Sequence, residues 1–581
     1  MKENTKLEWT IVILLGIIAY FLAFIGFHTY FVANGVERNL LDLTFHSIKI
    51  FGMDMIDDYV SPLPITLEIA RWLAPGVLIY TAIKGIIYLV GRTFLMLRVK
   101  RYRDHVVIEG VNQGSTFLIN DLVKKGMKVV ALAEEFTEAE REKIEREGVC
   151  LIAGTLKDKE IFKGINIGKA SYVLCLEKND DKNIASSVHV FNYLSELNKT
   201  VKPKIFAHID DIGKLRELRE IKFFRNLQLN KASNSEFDVR IFSVKERVAR
   251  MLFNLYSPDK FLYKSKPSDS AHSIVMIGDG ELTETILVHF ARMCQYSNFK
   301  KTIINLFHCE ERFPEILQNN SPMLKESIDL TTTLIDPDVL SLEMIAEQNN
   351  ANPVDAIYII SSNDEEMAKI VNRLSAINFG KQVNVVMVID DPGSILGKWF
   401  SVEFLGDLII HKYNITNEVF SEEAIIGSGI DNLAKMIHDD YLAKIKEAGR
   451  LNPEKETHCE WEYLSEDIKN QNRFQADHLW VKLRAIGCKA VPINDKAEEY
   501  DFTKDPDLVE MLSKVEHNRW EAHMWLNGWK YGAVRNDKKK IHTDLVEYEK
   551  LSDEVKQYDR NTILNIKHIL SIMNLKIVKE Q

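Results

Sequence analysis

The chain of 581 residues is 46% hydrophobic and 27% charged, too long for one domain and too apolar for wholesale disorder or a low-complexity scaffold. Its 84 acidic residues outnumber 74 basic ones for a net charge of -10, so no basic surplus is on hand to wrap a phosphate backbone, and nucleic acid is not an expected partner. Six cysteines (Cys150, Cys175, Cys294, Cys309, Cys459 and Cys488) are scattered without a C-x-x-C pair, which argues against a disulfide framework or zinc cluster and gives the soluble part a cytosolic character.

Residues 9–32 hold no Asp, Glu, Lys or Arg across 24 positions, and about 20 suffice to cross a bilayer as a helix. The stretch is too long, and lacks the small-residue cleavage site, for a removable signal peptide. A second span is predicted over residues 72–97, with Lys84 its only charge before Arg92. Arg92, Arg98, Lys100, Arg101 and Arg103 follow without an intervening acid, whereas residues 33–71 carry six acids against three bases. The positive-inside rule then gives a multi-pass protein of the inner (plasma) membrane with both termini in the cytoplasm.

Between the spans, residues 40–50 are apolar and helix-compatible, followed by Phe51-Gly52-Met53-Asp54 and then Ser61-Pro62. Helix, short loop and helix between two spans resembles the pore module of two-span potassium channels. That resemblance implies a threonine-rich, two-glycine filter ending in aspartate, whose carbonyls replace the ion's hydration shell. Aligned on Asp54, this chain has Lys49, Ile50, Phe51, Gly52 and Met53, so the threonine and both glycines are lost and Gly52 is out of register. Potassium selectivity is therefore not expected, because Phe51 and Met53 do not supply the backbone angles that glycine adopts cheaply. Lys49 either lines a symmetric pore as a ring of positive charge or snorkels to the interface, and Lys84 poses the same choice deeper in the bilayer, where an inner cavity is favoured. The pore candidates are Lys49, Phe51, Gly52, Asp54 and Lys84.

Residues 105–110 read as an apolar strand ending in Gly110, residues 117–125 as a helix and 128–132 as the next strand, ending near Glu134 and Glu135. Such a unit places phosphate-binding backbone at a helix N-terminus, with an acid to hold a ribose. Gly110 fits the first glycine of the fingerprint, Asn112 and Ser115 replace the second and third, Gly114 is off register, and Glu134 is the ribose candidate. Further strands are predicted at 150–153, 171–176 and 204–209, the last two leading to Asn179-Asp180-Asp181 and Asp210-Asp211. The same order recurs: 273–278 opens the better pattern Gly278-x-Gly280-x-x-Thr283, with strands at 302–307, 356–360 and 384–389, the last two preceding Asn363-Asp364 and Asp390-Asp391. Two duplicated, doubly wound parallel sheets are expected, with ligands at strand C-termini. Residues 102–410 look like tandem potassium-conductance regulators of the RCK or TrkA-N type, a resemblance that implies lobes paired into a ring and a homotetramer with eight lobes.

From about Asp431 the pattern becomes all-helical and rich in aromatics and histidines, with helices from Leu433 to Tyr441 and from Asn472 through Lys482 to Gly487. Residues 515–520 (Val-Glu-His-Asn-Arg-Trp), 528–532 (Gly-Trp-Lys-Tyr-Gly), Arg535, His542, Tyr548 and Asp559-Arg560 follow. These strings closely resemble the RyR domain, the ryanodine receptor repeat, over about residues 434–570. Trp520, Trp525, Trp529 and Tyr531 offer faces to stack a base, and His517, Arg519, Lys530 and Arg535 offer donors to a phosphate or carboxylate. The alternative is a small helical core in which Arg519 bridges to Glu516 or Asp559. Ligand-binding candidates are His517, Arg519, Trp520, Trp529, Tyr531 and Arg535.

The organisation expected is a two-helix membrane hairpin (1–103), two Rossmann-like α/β lobes (104–265 and 266–428) and an all-α RyR-like domain (429–581). No catalytic or metal-ligating constellation is read, so an enzyme is not expected. The resemblances together imply an ion channel gated by a nucleotide-type ligand (NAD, ATP/ADP or a cyclic nucleotide) and an effector role in bacterial nucleotide second-messenger or antiphage signalling. The alternative is a non-conducting, membrane-anchored nucleotide receptor or scaffold.

Overall fold

A computed structural model describes residues 2–54, 62–197, 203–221, 239–335, 342–361, 363–390, 403–427 and 429–580, with the side chains of 2–8, 87–96, 342–343 and 430 left out. Ser61 and Asp391, and the side chain of Arg92, lie outside the described residues. The chain divides into two compact units, residues 1–105 with 128–170, and residues 106–127 with 171–581.

The first unit opens with helices α1 (Lys2–Ala33), α2 (Leu40–Lys49) and α3 (Ile65–Val99), with a 3₁₀ turn Ile50–Gly52 after α2. Among the described residues one helix, over Trp9–Ala33, is long and apolar enough to cross a membrane. Asn39 starts α2 by accepting the Asp42 N–H at 2.8 Å. Small residues let the long helices touch: Ala19 and Ala23 on α1 and Ala70 and Ala74 on α3 are fully buried. An added Cβ at Gly26 would lie 2.7 Å from the Leu67 backbone nitrogen. Phe27, Phe31, Leu43 and Ile50 fill the core that α2 shares with both long helices. On the opposite face of α1, Ile13, Leu14, Ile17, Phe21 and Ile25 stay about half exposed. The same unit holds the parallel pair β2 (Val129–Ala133) and β3 (Cys150–Ala153).

In the second unit the first lobe contributes β1 (His105–Glu109), helix α4 (Gln113–Lys124), β4 (Ala170–Cys175), β5 (Lys204–His208) and β6 (Val239–Phe242), in the order β1-β4-β5-β6. The second lobe's sheet runs β12-β13-β11-β10-β7-β8-β9, comprising β7 (Ser273–Ile277), β8 (Ile303–His308), β9 (Asp329–Leu334), β10 (Ala356–Ile360), β11 (Val383–Ile389), β12 (Phe404–Leu405) and β13 (Leu408–Asn414). Among the described residues only β12 pairs antiparallel there. Alternation sends Ile274 and Met276 of β7 into one core and Val275 and Ile277 into another, so both faces are covered and the strands read as unbroken apolar runs. Rossmann-like parallel lobes are thus present. Strands β6, β9, β12 and β13 are additions to the sequence reading; β9, rich in threonine and partly exposed at a sheet edge, lacks the apolar run that marks its neighbours.

Helix α5 (Val244–Tyr256) leads to the second lobe, whose first helix is α6 (Gly280–Met293). The C-terminal module is built on Asn432–Glu447, α7 (Glu466–Ala485), α8 (Pro506–Leu526), Asp553–Leu564 and Ile566–Ile572 around Leu479, Leu483, Leu512, Ile563 and Ile569. It is not all-helical as expected. Cys488–Pro492 (β14) pairs antiparallel with Leu575–Lys579 (β17), and Lys530–Tyr531 (β15) pairs with Ile541–His542 (β16). Those strands are short and mixed in polarity, so they carry no period of their own and form only when the helices bring them together.

Replacing Gly26 by Ala should cost about 1–3 kcal/mol through overpacking against Leu67. Gly16→Ala, whose Cβ would meet only Val77 at an ordinary 3.7 Å, should be tolerated. Thermal melts of the two variants in detergent check this, and equal melts would show that α1 and α3 are not in close contact.

Candidate ligand cleft

The phosphate-loop residues of both lobes are held by internal contacts. Gly110 backs onto Leu176 and Glu177, and an added Cβ there would lie 2.6 Å from the Glu177 nitrogen. Asn112 forms a capping box with Ser115 at the start of α4 and donates its amide to the Leu176 carbonyl at 2.7 Å. Gly114 lies under the Phe420 ring, which would be 2.5 Å from a Cβ. Glu134 follows β2 and is exposed.

In the second lobe, a Cβ on Gly278 would strike the Ile360 carbonyl, and Gly280 has φ +74°, a left-handed conformation that glycine adopts without strain. Thr283 is fully buried and donates to the Asp279 carbonyl at 2.8 Å. The Asp279 carboxylate accepts the Cys309 and Glu310 N–H groups at 3.1 Å each, so a side chain of the protein already holds the amides that follow β8. The strand-end Asn and Asp residues behave likewise: Asn179, Asp211 and Asn363 cap the helices after them, and Asp180 accepts from the Asp210 and Asp211 amides.

In the hairpin, Lys49 pairs with Asp54 at 2.9 Å and lies over the Phe45 ring, Phe51 is partly buried, Gly52 is exposed, and Met53 takes a left-handed φ of 62°. Lys84 is exposed on this chain and lies over Tyr80.

Helix α8 carries most of the C-terminal candidates and starts at the Asp505 cap with Pro506 in its first turn. His517 is buried, bonds the Val546 carbonyl at 2.8 Å and faces Asp559 at 3.4 Å. Arg519 is buried in a two-point pair with Glu516, which also takes Lys482 at 2.6 Å. Burial opposes charge on Glu516, but Arg519 and Lys482 hold it well below the usual carboxylate range. His517 and Arg519 are thus parts of the core, the second of the two sequence readings, and Tyr531 is 60% exposed.

Trp520, Trp529 and Arg535 come together on one wall of a cleft of about 980 Å³. Trp520 and Trp529 stand edge-on to His542 at 5.1 and 6.0 Å, and Arg535 reaches His542 at 3.1 Å. The other walls include residues of α5, α6 and α7. They include Arg247, Arg250, Arg292 and Phe474, which sequence reasoning passed over; the cationic face of α5 (Lys245, Arg247, Arg250) was the available signal.

Acids and arginines lock these walls together. Arg250 binds Asp431 at 2.7 Å and Asp477 at 3.0 Å, and Arg473 binds Asp431 at 2.6 Å and Glu466 at 2.7 Å. Burial alone would raise the Asp431 pKa, but Arg473 and Arg250 hold it far below the usual carboxylate range. Among the described residues no group of three or more His, Cys, Asp and Glu is placed to hold a metal.

A family model for the RyR domain matches residues 503–579, starting and ending later than the 434–570 expected from sequence. No curated protein matches the chain. Among solved structures, GsuK bound to ADP covers 77% of this chain and 99% of its own at 13% identity and a TM-score of 0.35. GsuK bound to NAD covers 77% and 85% at 11% identity and 0.35. Shikimate dehydrogenase from Mycobacterium tuberculosis covers 53% and 88% at 9% identity and 0.25.

Within the RyR domain, burial pushes Glu521 up to about 7. Burial opposes charging of nearby His517, but Asp559 and Glu521 more than offset it, so the His517 pKa is raised too. A native pKa above the unfolded value gives stability that is complete below the unfolded value and lost as pH rises through the folded one. Glu521 should therefore withdraw on the order of 2–3 kcal/mol between pH 5 and pH 8. Glu521→Gln should show a smaller fall in Tm over that range than the wild type, and parallel curves would mean that Glu521 ionises normally.

Proposed function

We propose that the protein is a two-span ion channel opened by a nucleotide-type ligand, with the lobes and the RyR domain as its cytoplasmic sensor. The observation that carries this reading is the hairpin, in which the short α2 and its 3₁₀ turn share a core with two long helices. The half-exposed apolar face of α1 supports a lipid setting, and charge asymmetry supports a second span along α3 with both termini in the cytoplasm. A homotetramer supplies the symmetry a pore requires. Binding rather than turnover is the chemistry proposed, with gating energy from tighter binding to the open state.

The second reading, a non-conducting membrane-anchored receptor, is favoured by two features: Phe51 and Met53 occupy the turn where carbonyl ligands would be needed, and Lys49 is tied to Asp54.

Ion flux through protein in liposomes, with mono-, di- and cyclic nucleotides added at the cytoplasmic face, separates the two. Ligand-dependent flux is expected, and a nucleotide that raises Tm while moving no ion would establish the receptor instead. In the conducting case Lys49→Ala leaves Asp54 without its partner, so the reversal potential should shift towards cation preference. An unchanged potential would remove Lys49 from the pore.

A further inference from the structure

The cleft contains two arginines to which, among the described residues, no carboxylate is directly bonded. Arg247 on α5 and Arg292 on α6 both line it. Their guanidinium groups lie 4.4 Å from the centre of the Phe242 ring and 4.3 Å from that of Phe474. Among the described residues neither side chain has an ion pair or hydrogen bond to a carboxylate, and the Arg292 Nε is buried without any hydrogen-bond partner.

Scarcity of acid does not explain this. In the same walls Arg219 is bound by Glu246 at 2.8 Å, Arg473 by Asp431 at 2.6 Å and Arg535 by Asp537 at 2.7 Å. Burial lowers Arg247 and Arg292 to about 10, so both remain charged at neutral pH. Two half-buried cations with no carboxylate bonded to them carry a desolvation cost that Asp431 and Glu246 offset only from a distance, and a bound anion lowers it further. A planar guanidinium stacked on a phenyl ring keeps its N–H edge for bidentate contact with phosphate oxygens.

The α8 wall supplies the complementary surface. Trp520 and Trp529 are each half-buried, with indole area remaining to stack a base. The volume of about 980 Å³ is at the upper end of the roughly 300–1,000 Å³ of small-molecule sites.

We propose that this cleft is the sensor site for a phosphate-bearing nucleotide, with the phosphates on Arg247 and Arg292 and the base against Trp520 and Trp529. The assignment rests on the nucleotide-sensing reading above and moves it from the sheet edges of the lobes to this cleft. The first and second lobes and the RyR domain each contribute a wall, so one ligand touches all three.

The test is binding of ADP, NAD, cyclic AMP, cyclic di-AMP and inorganic pyrophosphate to the purified full-length protein in detergent. Arg247→Met and Arg292→Met should each weaken nucleotide binding about tenfold or more, as expected for a lost charge-assisted contact, while the ligand-free Tm stays level or rises. Trp529→Ala should weaken nucleotides and leave pyrophosphate unchanged. Nucleotide binding that survives in the double arginine variant overturns the site and leaves nucleotide sensing standing. Pyrophosphate binding as tight as any nucleotide overturns the placement of the base on the tryptophans. Failure of every nucleotide to bind the wild type overturns nucleotide sensing, and this site with it.

Discussion

The second unit depends on the shielded cluster in which Arg250 and Arg473 share Asp431, with Asp477 and Glu466 as outer partners. Arg250 comes from α5 beside the first lobe, Asp431 from the linker after the second, and Asp477, Glu466 and Arg473 from α7 of the C-terminal module. Breaking such a pair strands a charge, which costs about 3–5 kcal/mol, far more than an exposed pair returns. That asymmetry fixes the register of three elements distant in sequence, and the walls of the cleft follow from it. An apolar interface would bind the same elements without specifying their angle so narrowly.

The same logic separates two kinds of arginine. Arg250, Arg473 and Arg519 are each bonded directly to carboxylates. Arg247 and Arg292 stack on rings and keep their donors. Half-buried cations without a bonded carboxylate, beside several that have one, are the feature on which the proposed anion site rests.

In the lobes the motif glycines meet needs of the backbone itself. Gly110, Gly278 and Gly280 occupy positions where backbone passes close to backbone or turns left-handed, requirements of the strand-to-helix turn itself. Asp279 then satisfies the strand-end amides from within, and Phe420 covers Gly114. Glycine spacing therefore reports the turn, while the occupant of the turn is chosen by residues far along the chain.

The sequence by itself determined the apolar first helix, most of the central strands of both lobes and the RyR domain, because each rests on a local signal: a long uncharged run, a buried apolar strand between helical spacings, or a dense string of aromatics. Edge strands such as β9 and the β14–β17 ribbon were illegible, since short, mixed segments acquire their partners only from the surrounding fold. For the candidate site, Trp520, Trp529 and Arg535 were readable as a cluster, but His517 and Arg519 could not be told apart from them on one helix. Burial and pairing sorted them: Arg519 turned to Glu516, His517 to Val546 and Asp559. Only the tertiary structure brought Arg247 and Arg292 to the same cleft, because no sequence period links residues on α5 and α6 to tryptophans more than two hundred positions away.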